Sequence, residues 1–299
     1  MLEKLKYPYS TGCLTEKPFR SIFLIIKVIL ADLFKFEINY KAVIKKSKFN
    51  YNYTPYPTSG LGGRGQYILR EYYDKFFFVG HDVLPNKFNF IDIGCSRGFF
   101  SLYLLGLQNF KGMGLGIDPL SKAIEDFKKI LKLNKKKKMN LINGIISNKK
   151  TLKMPIYKVS RLGYFSIIKN ISFADKLPKG KSPESFLTRS YKLDDLVKKK
   201  KLIKEVKFIK IDAEGAEYEI LCSAKETIKK YKPIFYCEVT RKRKEICSFF
   251  KKKNYILFNF NQKKLNKIEP KSFYGGELLA IHKNDSYFSK NTMQLKKFN

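Results

Sequence analysis

The segment FIKIDAEGAEYEIL, residues 208 to 221, gathers three acids, Asp212, Glu214 and Glu217, around Gly215. Its first half is the near-continuous apolar run of a strand covered on both faces. Polar residues at the carboxyl end of such a strand point into the crevice where parallel sheets bind ligands. A carboxylate there can take a proton from a hydroxyl, and Asp212 is the first candidate for that base, with Glu214 the second. Glu238 ends the next apolar run, PIFYCEV, and is a third acid for the same crevice. Two other uses fit these residues. Asp212 and Glu214 could cap the helix that follows, or three acids could hold a divalent cation through oxygen ligands.

A second candidate site is the turn Asp92-Ile93-Gly94-Cys95-Ser96-Arg97-Gly98, which follows the apolar run FNFIDIG. Ser96 stands where the G-x-G-x-x-G fingerprint requires its second glycine, so a pyrophosphate-binding dinucleotide site is disfavoured. Gly94 and Gly98 leave room for close backbone approach by a ligand without phosphates, as S-adenosylmethionine is, or only for tight helix packing. Asp118 ends the second strand, where an acid can take ribose hydroxyls. The cofactor-binding candidates are Asp92, Gly94, Cys95, Ser96, Gly98, Asp118, Pro119 and the third-strand turn Asn143, Gly144 and Ile145, placed for an adenine.

These positions need an alternating framework. FNFIDIG, GMGLGID, MNLINGIIS, VKFIKID and PIFYCEV read as strands separated by helices. Ala123, Ile124, Phe127, Ile130 and Leu131 share one helical face, as do Ile220, Leu221, Ala224 and Ile228. YILFNF and ELLAIHK close the sheet as a final hairpin. The pattern predicts an α/β fold with a mostly parallel, seven-stranded, Rossmann-like sheet and helices on both faces. Residues 1 to 65 read as a basic helical extension and a Gly/Pro/Tyr loop, 66 to 285 as the main domain, and 286 to 299 as a disordered basic tail. Tyr51, Tyr53, Tyr56 and the loop from Gly60 to Gly65 are candidates for a lid or a sugar-stacking surface.

The chain has 299 residues, 44% of them apolar, and a net charge of +35. Only eight of its 61 basic residues are Arg, the type favoured for phosphate and base recognition, so the charge alone does not imply a nucleic-acid partner. No lysine stands at a motif-quality position. Cys13, Cys95, Cys222, Cys237 and Cys247 show no paired spacing and read as reduced thiols of a cytoplasmic protein. Two histidines, His81 and His282, exclude a His-rich metal site. SIFLIIKVILADLF, residues 21 to 34, is interrupted by Lys27 and Asp32 and is shorter than the ~20 apolar residues of a spanning helix. It reads as a helix packed on the main domain, with peripheral membrane contact as its alternative.

Four blocks in order, IDIGCSRGFFSLYL, GIDP, YKLDDL at 191 to 196, and IKIDAEGAEYEIL followed by KPIFYCEVT, resemble the FkbM family of S-adenosylmethionine-dependent methyltransferases. The resemblance runs from about Phe90 to Thr240. It implies a class I methyltransferase fold and O-methylation of a hydroxyl on a glycan, lipid or secondary metabolite. Asp118 departs from the Glu more usual there, and the stretch from Arg161 to Ser166 lacks an expected Asn. The alternatives are an RNA 2′-O-methyltransferase and a non-catalytic basic binding module on the same fold.

Overall fold

The computed structural model describes residues 33–44, 46–53, 83–135, 138–158, 165–166, 185–199, 203–261 and 264–286, together with Phe23, Ile26, Lys27, Leu30, Ala31 and Phe76. Expectations for residues 1 to 22, the loop from 54 to 65, the tail from 287, Cys13 and His81 lie outside them.

Strands β1 (Ile38–Ile44) and β2 (Ser47–Tyr53) pair antiparallel as a hairpin. A helical extension was expected here. The period is two instead: Ser47, Phe49 and Tyr51 are buried, while Lys48 between them is exposed. Phe49 and Tyr51 meet Phe99 edge to face, with ring centroids 5.2 and 5.1 Å away. Tyr51 is therefore packed in the core and not displayed for sugar stacking.

β3 (Asn89–Ile93) leads through the glycine turn into α1 (Phe99–Leu105). β4 (Gly114–Asp118), α2 (Ser121–Leu133) and β5 (Met139–Asn143) follow. The third strand was expected to continue to 147, but it breaks at Gly144. Ile145–Ile146 (β6) leaves to join β7 (Thr151–Lys158), β8 (Phe165–Ser166) and β9 (Ser185–Tyr191) in a separate four-stranded sheet. The chain returns through α3 (Leu193–Lys198), β10 (Val206–Ile211), α4 (Glu217–Cys222) and α5 (Lys225–Tyr231). It ends with β11 (Ile234–Val239), α6 (Arg243–Lys252), β12 (Tyr255–Asn261), β13 (Lys264–Ile268) and β14 (Gly276–His282).

The central sheet has the order β13-β12-β14-β11-β10-β3-β4-β5, eight strands where seven were expected. The extra one, β13, is an edge strand hairpinned onto β12. β14 inserts antiparallel between β11 and β12, so these two closing strands pair without being a simple hairpin. α1, α2 and the β1–β2 hairpin cover one face, and α3 to α6 cover the other. The residues expected to face the core from α2 and from the α4–α5 segment are all buried. The motif acid Asp194 ties this second layer together. Its carboxylate accepts the Glu226 and Thr227 N–H groups at 3.0 and 2.8 Å, capping α5 from a neighbouring helix.

At Gly98 the backbone has φ 80°, and a Cβ would lie 2.0 Å from the buried Phe127 ring. The glycine thus makes room for α2. Gly98→Ala is expected to cost about 2–4 kcal/mol in urea unfolding, by adding strain to overpacking. Parental stability in that variant would contradict this packing.

Candidate functional site

The carboxyl ends of β10, β3 and β4 form the site. β10 and β3 are parallel neighbours, and their register sets Lys210 opposite Asp92. Lys210 is only 7% exposed, a rare position for lysine unless paired. Its Nζ lies 3.5 Å from Asp92 Oδ1 and 3.3 Å from Asp212 Oδ2, and it donates to the Gly94 carbonyl at 3.4 Å. The ammonium also sits over the Phe100 ring of α1, 5.6 Å from its centroid. Asp92 is fully buried, and its Oδ2 accepts the Ser101 hydroxyl at 2.6 Å. This chain runs Ser101, Asp92, Lys210, Asp212, from the interior to the crevice.

Asp212 is the half-exposed end of that chain, and its N–H donates to Ile93 O at 3.0 Å. Gly94, with φ 75°, could not carry a side chain, because a Cβ would fall 1.8 Å from the Asp212 carbonyl oxygen. The β10 backbone packs closely against this turn. Cys95 is buried, and burial pushes its thiol well above the ordinary range. Ser96 is exposed with φ 48°, and its N–H donates to Asp118 Oδ2 at 2.8 Å.

Asp118 closes β4, and its Oδ1 accepts the Leu120 N–H at 2.9 Å. Burial pushes its carboxyl up to about 6, against the pull of those two N–H groups. Asn143 Nδ2 donates to the carbonyls of Asp118 and Pro119, and the Gly144 N–H also reaches Asp118 O, at 2.9 Å. The end of β5 is thereby fastened to the end of β4. Ile145 is buried and pairs with Ser190.

The acids after β10 divide. The N-cap position of α4 is Ala216, so neither Asp212 nor Glu214 occupies it. Glu214 adopts φ 50°, a left-handed conformation costly outside glycine. Glu217 turns inward and is fully buried. Its Oε1 accepts the Gly215 N–H at 2.8 Å, and Oε2 has no hydrogen-bond partner. Glu238 is exposed on β11, opposite Glu277 of β14. Among the described residues no three His, Cys, Asp or Glu side chains converge as a metal site.

The architecture is that of a class I methyltransferase: a mostly parallel sheet, an inserted antiparallel strand, and acids at the ends of adjacent central strands. The sequence profile of the methyltransferase FkbM domain matches residues 92–262, more than half of the chain. The chain belongs to the FkbM methyltransferase family. A search of curated proteins finds no match. Among solved structures, the FkbM methyltransferase of Methylobacillus flagellatus KT is similar at 14% identity and TM-score 0.46, over 73% of this chain and 52% of that one. This chain thus spans about half the length of that relative. TrmK of M. capricolum, solved with S-adenosylhomocysteine, matches at 14% identity and TM-score 0.36, over 69% of this chain and 67% of that one. Aeropyrum pernix fibrillarin, solved with S-adenosylmethionine, matches at 8% identity and TM-score 0.37, over 66% and 67% of the two chains.

Sequence reading missed Lys210 as a site residue. The available signal was a charge between Ile209 and Ile211 inside a buried strand, where only a partnered lysine is tolerable. Glu217 was seen but not singled out for a role.

Burial pushes the Glu217 carboxyl from 4.5 up to about 7. The folded chain then binds more protons than the unfolded chain between those values, so stability falls as pH rises through that window and is level above it. Glu217→Gln keeps the acceptor for Gly215 and removes the charge. It is expected to exceed the parent in stability by about 1–3 kcal/mol near pH 8 and to match it near pH 4. Identical pH profiles of urea midpoint for the two proteins would refute that assignment.

Proposed function

We propose that the chain transfers a methyl group from S-adenosylmethionine to a hydroxyl oxygen of a glycan, lipid or secondary metabolite. The observation that carries this reading is that two differently housed acids, Asp118 on β4 and Asp212 after β10, flank the strand between them and are coupled through its Gly94–Ser96 turn. Asp118 fits the cofactor's ribose. Each of its oxygens accepts one backbone N–H and keeps a lone pair for a hydroxyl donor. Asn143 and Pro119 shape the adjoining strand ends where the adenine would lie. When bound, S-adenosylmethionine supplies a methyl group activated by its sulfonium.

The chain's own part is positioning and proton removal. An in-line displacement gains most from holding donor and acceptor aligned. Asp212 is placed to accept the proton that the hydroxyl loses as the new C–O bond forms, at Oδ1, the oxygen not engaged by Lys210. Lys210, anchored on Asp92, fixes the orientation of that carboxylate. Glu214 lies two residues on and Glu238 at the end of the next strand, on the acceptor side of the same crevice.

Asp118→Ala is expected to weaken S-adenosylhomocysteine binding by about tenfold or more in calorimetry, the loss of at least one charge-assisted hydrogen bond. Asp212→Asn should bind that ligand normally and lose about 100-fold or more in turnover. Normal turnover in Asp212→Asn would remove Asp212 from the proton-transfer role. Unchanged affinity in Asp118→Ala would move the ribose site elsewhere.

A further inference from the structure

Outside the methyl-transfer site, one unexplained feature is apolar surface before the β1–β2 hairpin. Phe23, Ile26, Lys27, Leu30, Ala31, Leu33 and Phe34 are helical. Ala31 is fully buried with Ile38, Phe49 and Tyr51 of the hairpin, so that side of the helix is tied to the domain. Phe23, Leu33 and Phe34 are 60%, 54% and 67% exposed, and Ile26 and Leu30 are exposed with them. At the ~100° that a helix turns per residue, these five fall on one stripe about 100° wide. Such a stripe is normally the face that a helix buries. Here it points away from the core.

We infer that this face docks the protein on an anionic lipid surface, with the helix lying in the plane of the headgroups. Charge decides between lipid and other occupants. Lys27 borders the stripe, and Lys35, Lys41, Lys46 and Lys48 are exposed on the segment that follows. Residues 1 to 50 carry ten Lys or Arg against four Asp or Glu. A second copy of a chain with net charge +35 would bring the same sign to the same border and be repelled. An anionic headgroup layer supplies the opposite sign, and its acyl boundary takes the aromatic and aliphatic side chains. With the stripe exposed on one side and Ala31 buried on another, the geometry is that of an in-plane helix. The inference does not depend on the methyl-transfer reading.

The chain contains no Trp, so Phe34→Trp places a single indole reporter on the stripe. Its emission is expected to shift to the blue with vesicles of phosphatidylcholine and phosphatidylglycerol, and not with phosphatidylcholine alone. In sedimentation of the full chain with the anionic vesicles, a Phe23→Ser, Leu30→Ser, Phe34→Ser variant should bind at least about tenfold more weakly. Lys27→Gln and Lys35→Gln should each cost about fivefold. All these residues are exposed, and unchanged thermal unfolding checks that the variants fold. The inference is overturned if the anionic vesicles leave the Phe34→Trp emission unmoved, or if the triple variant sediments with them as the parent does. A dimer in solution that the triple variant abolishes would also overturn it, giving the face to a second copy.

Discussion

One buried ammonium organises this protein. Lys210 stands inside a parallel strand, buried with its ammonium over the Phe100 ring of α1, where an unpaired charge would be intolerable. It is retained because Asp92 and Asp212 lie on either side of it. Removing one partner of such a buried pair typically costs about 3–5 kcal/mol, because the other charge is left uncompensated. The registers of β3 and β10 and the packing of α1 through Ser101 must therefore be mutually consistent. Asp212 inherits its place from that consistency.

The turn after β3 shows the same economy of means. Gly94 lets β3 and β10 end in contact, Gly98 lets α1 pass over Phe127, and Ser96, between them, reaches Asp118. Two acids in different surroundings are thus held by one short loop: Asp118 is nearly dry and hydrogen-bonded to backbone, whereas Asp212 is half-exposed and ion-paired. The ribose and proton acceptors proposed above call for such a contrast. Glu217 adds a third environment, a carboxyl folded under its own turn with one oxygen unpartnered.

Much of this was legible in the sequence because burial imposes periodicity. The core face of α2 and the strand positions of β3, β4, β10 and β11 follow directly from the spacing of apolar residues. The hairpin at 38–53 was misread as helix and loop because lysines interrupt its alternation, and its buried side is completed by Phe99, far away in sequence. The break at Gly144 escaped for a similar reason, since β6 finds its partner β9 some forty residues later. Glycine positions were recognised, with ligand approach and tight packing both open as their cause. Spacing shows that Cβ atoms are excluded, while only the fold shows that the Asp212 backbone and the Phe127 ring exclude them. Lys210 was hidden by the assumption that lysine signals surface.

The central claim is that these strand ends move a methyl group onto a hydroxyl, and the most direct measurement follows the methyl group itself. The purified chain would be incubated with methyl-labelled S-adenosylmethionine and an extract of its source, then separated into glycan, lipid, small-molecule, RNA and protein fractions. The account predicts label in a glycan, lipid or small-molecule fraction, held as an ether that survives mild base. Label confined to an RNase-sensitive fraction would contradict the acceptor class, and S-adenosylhomocysteine binding without label in any fraction would contradict the transfer itself.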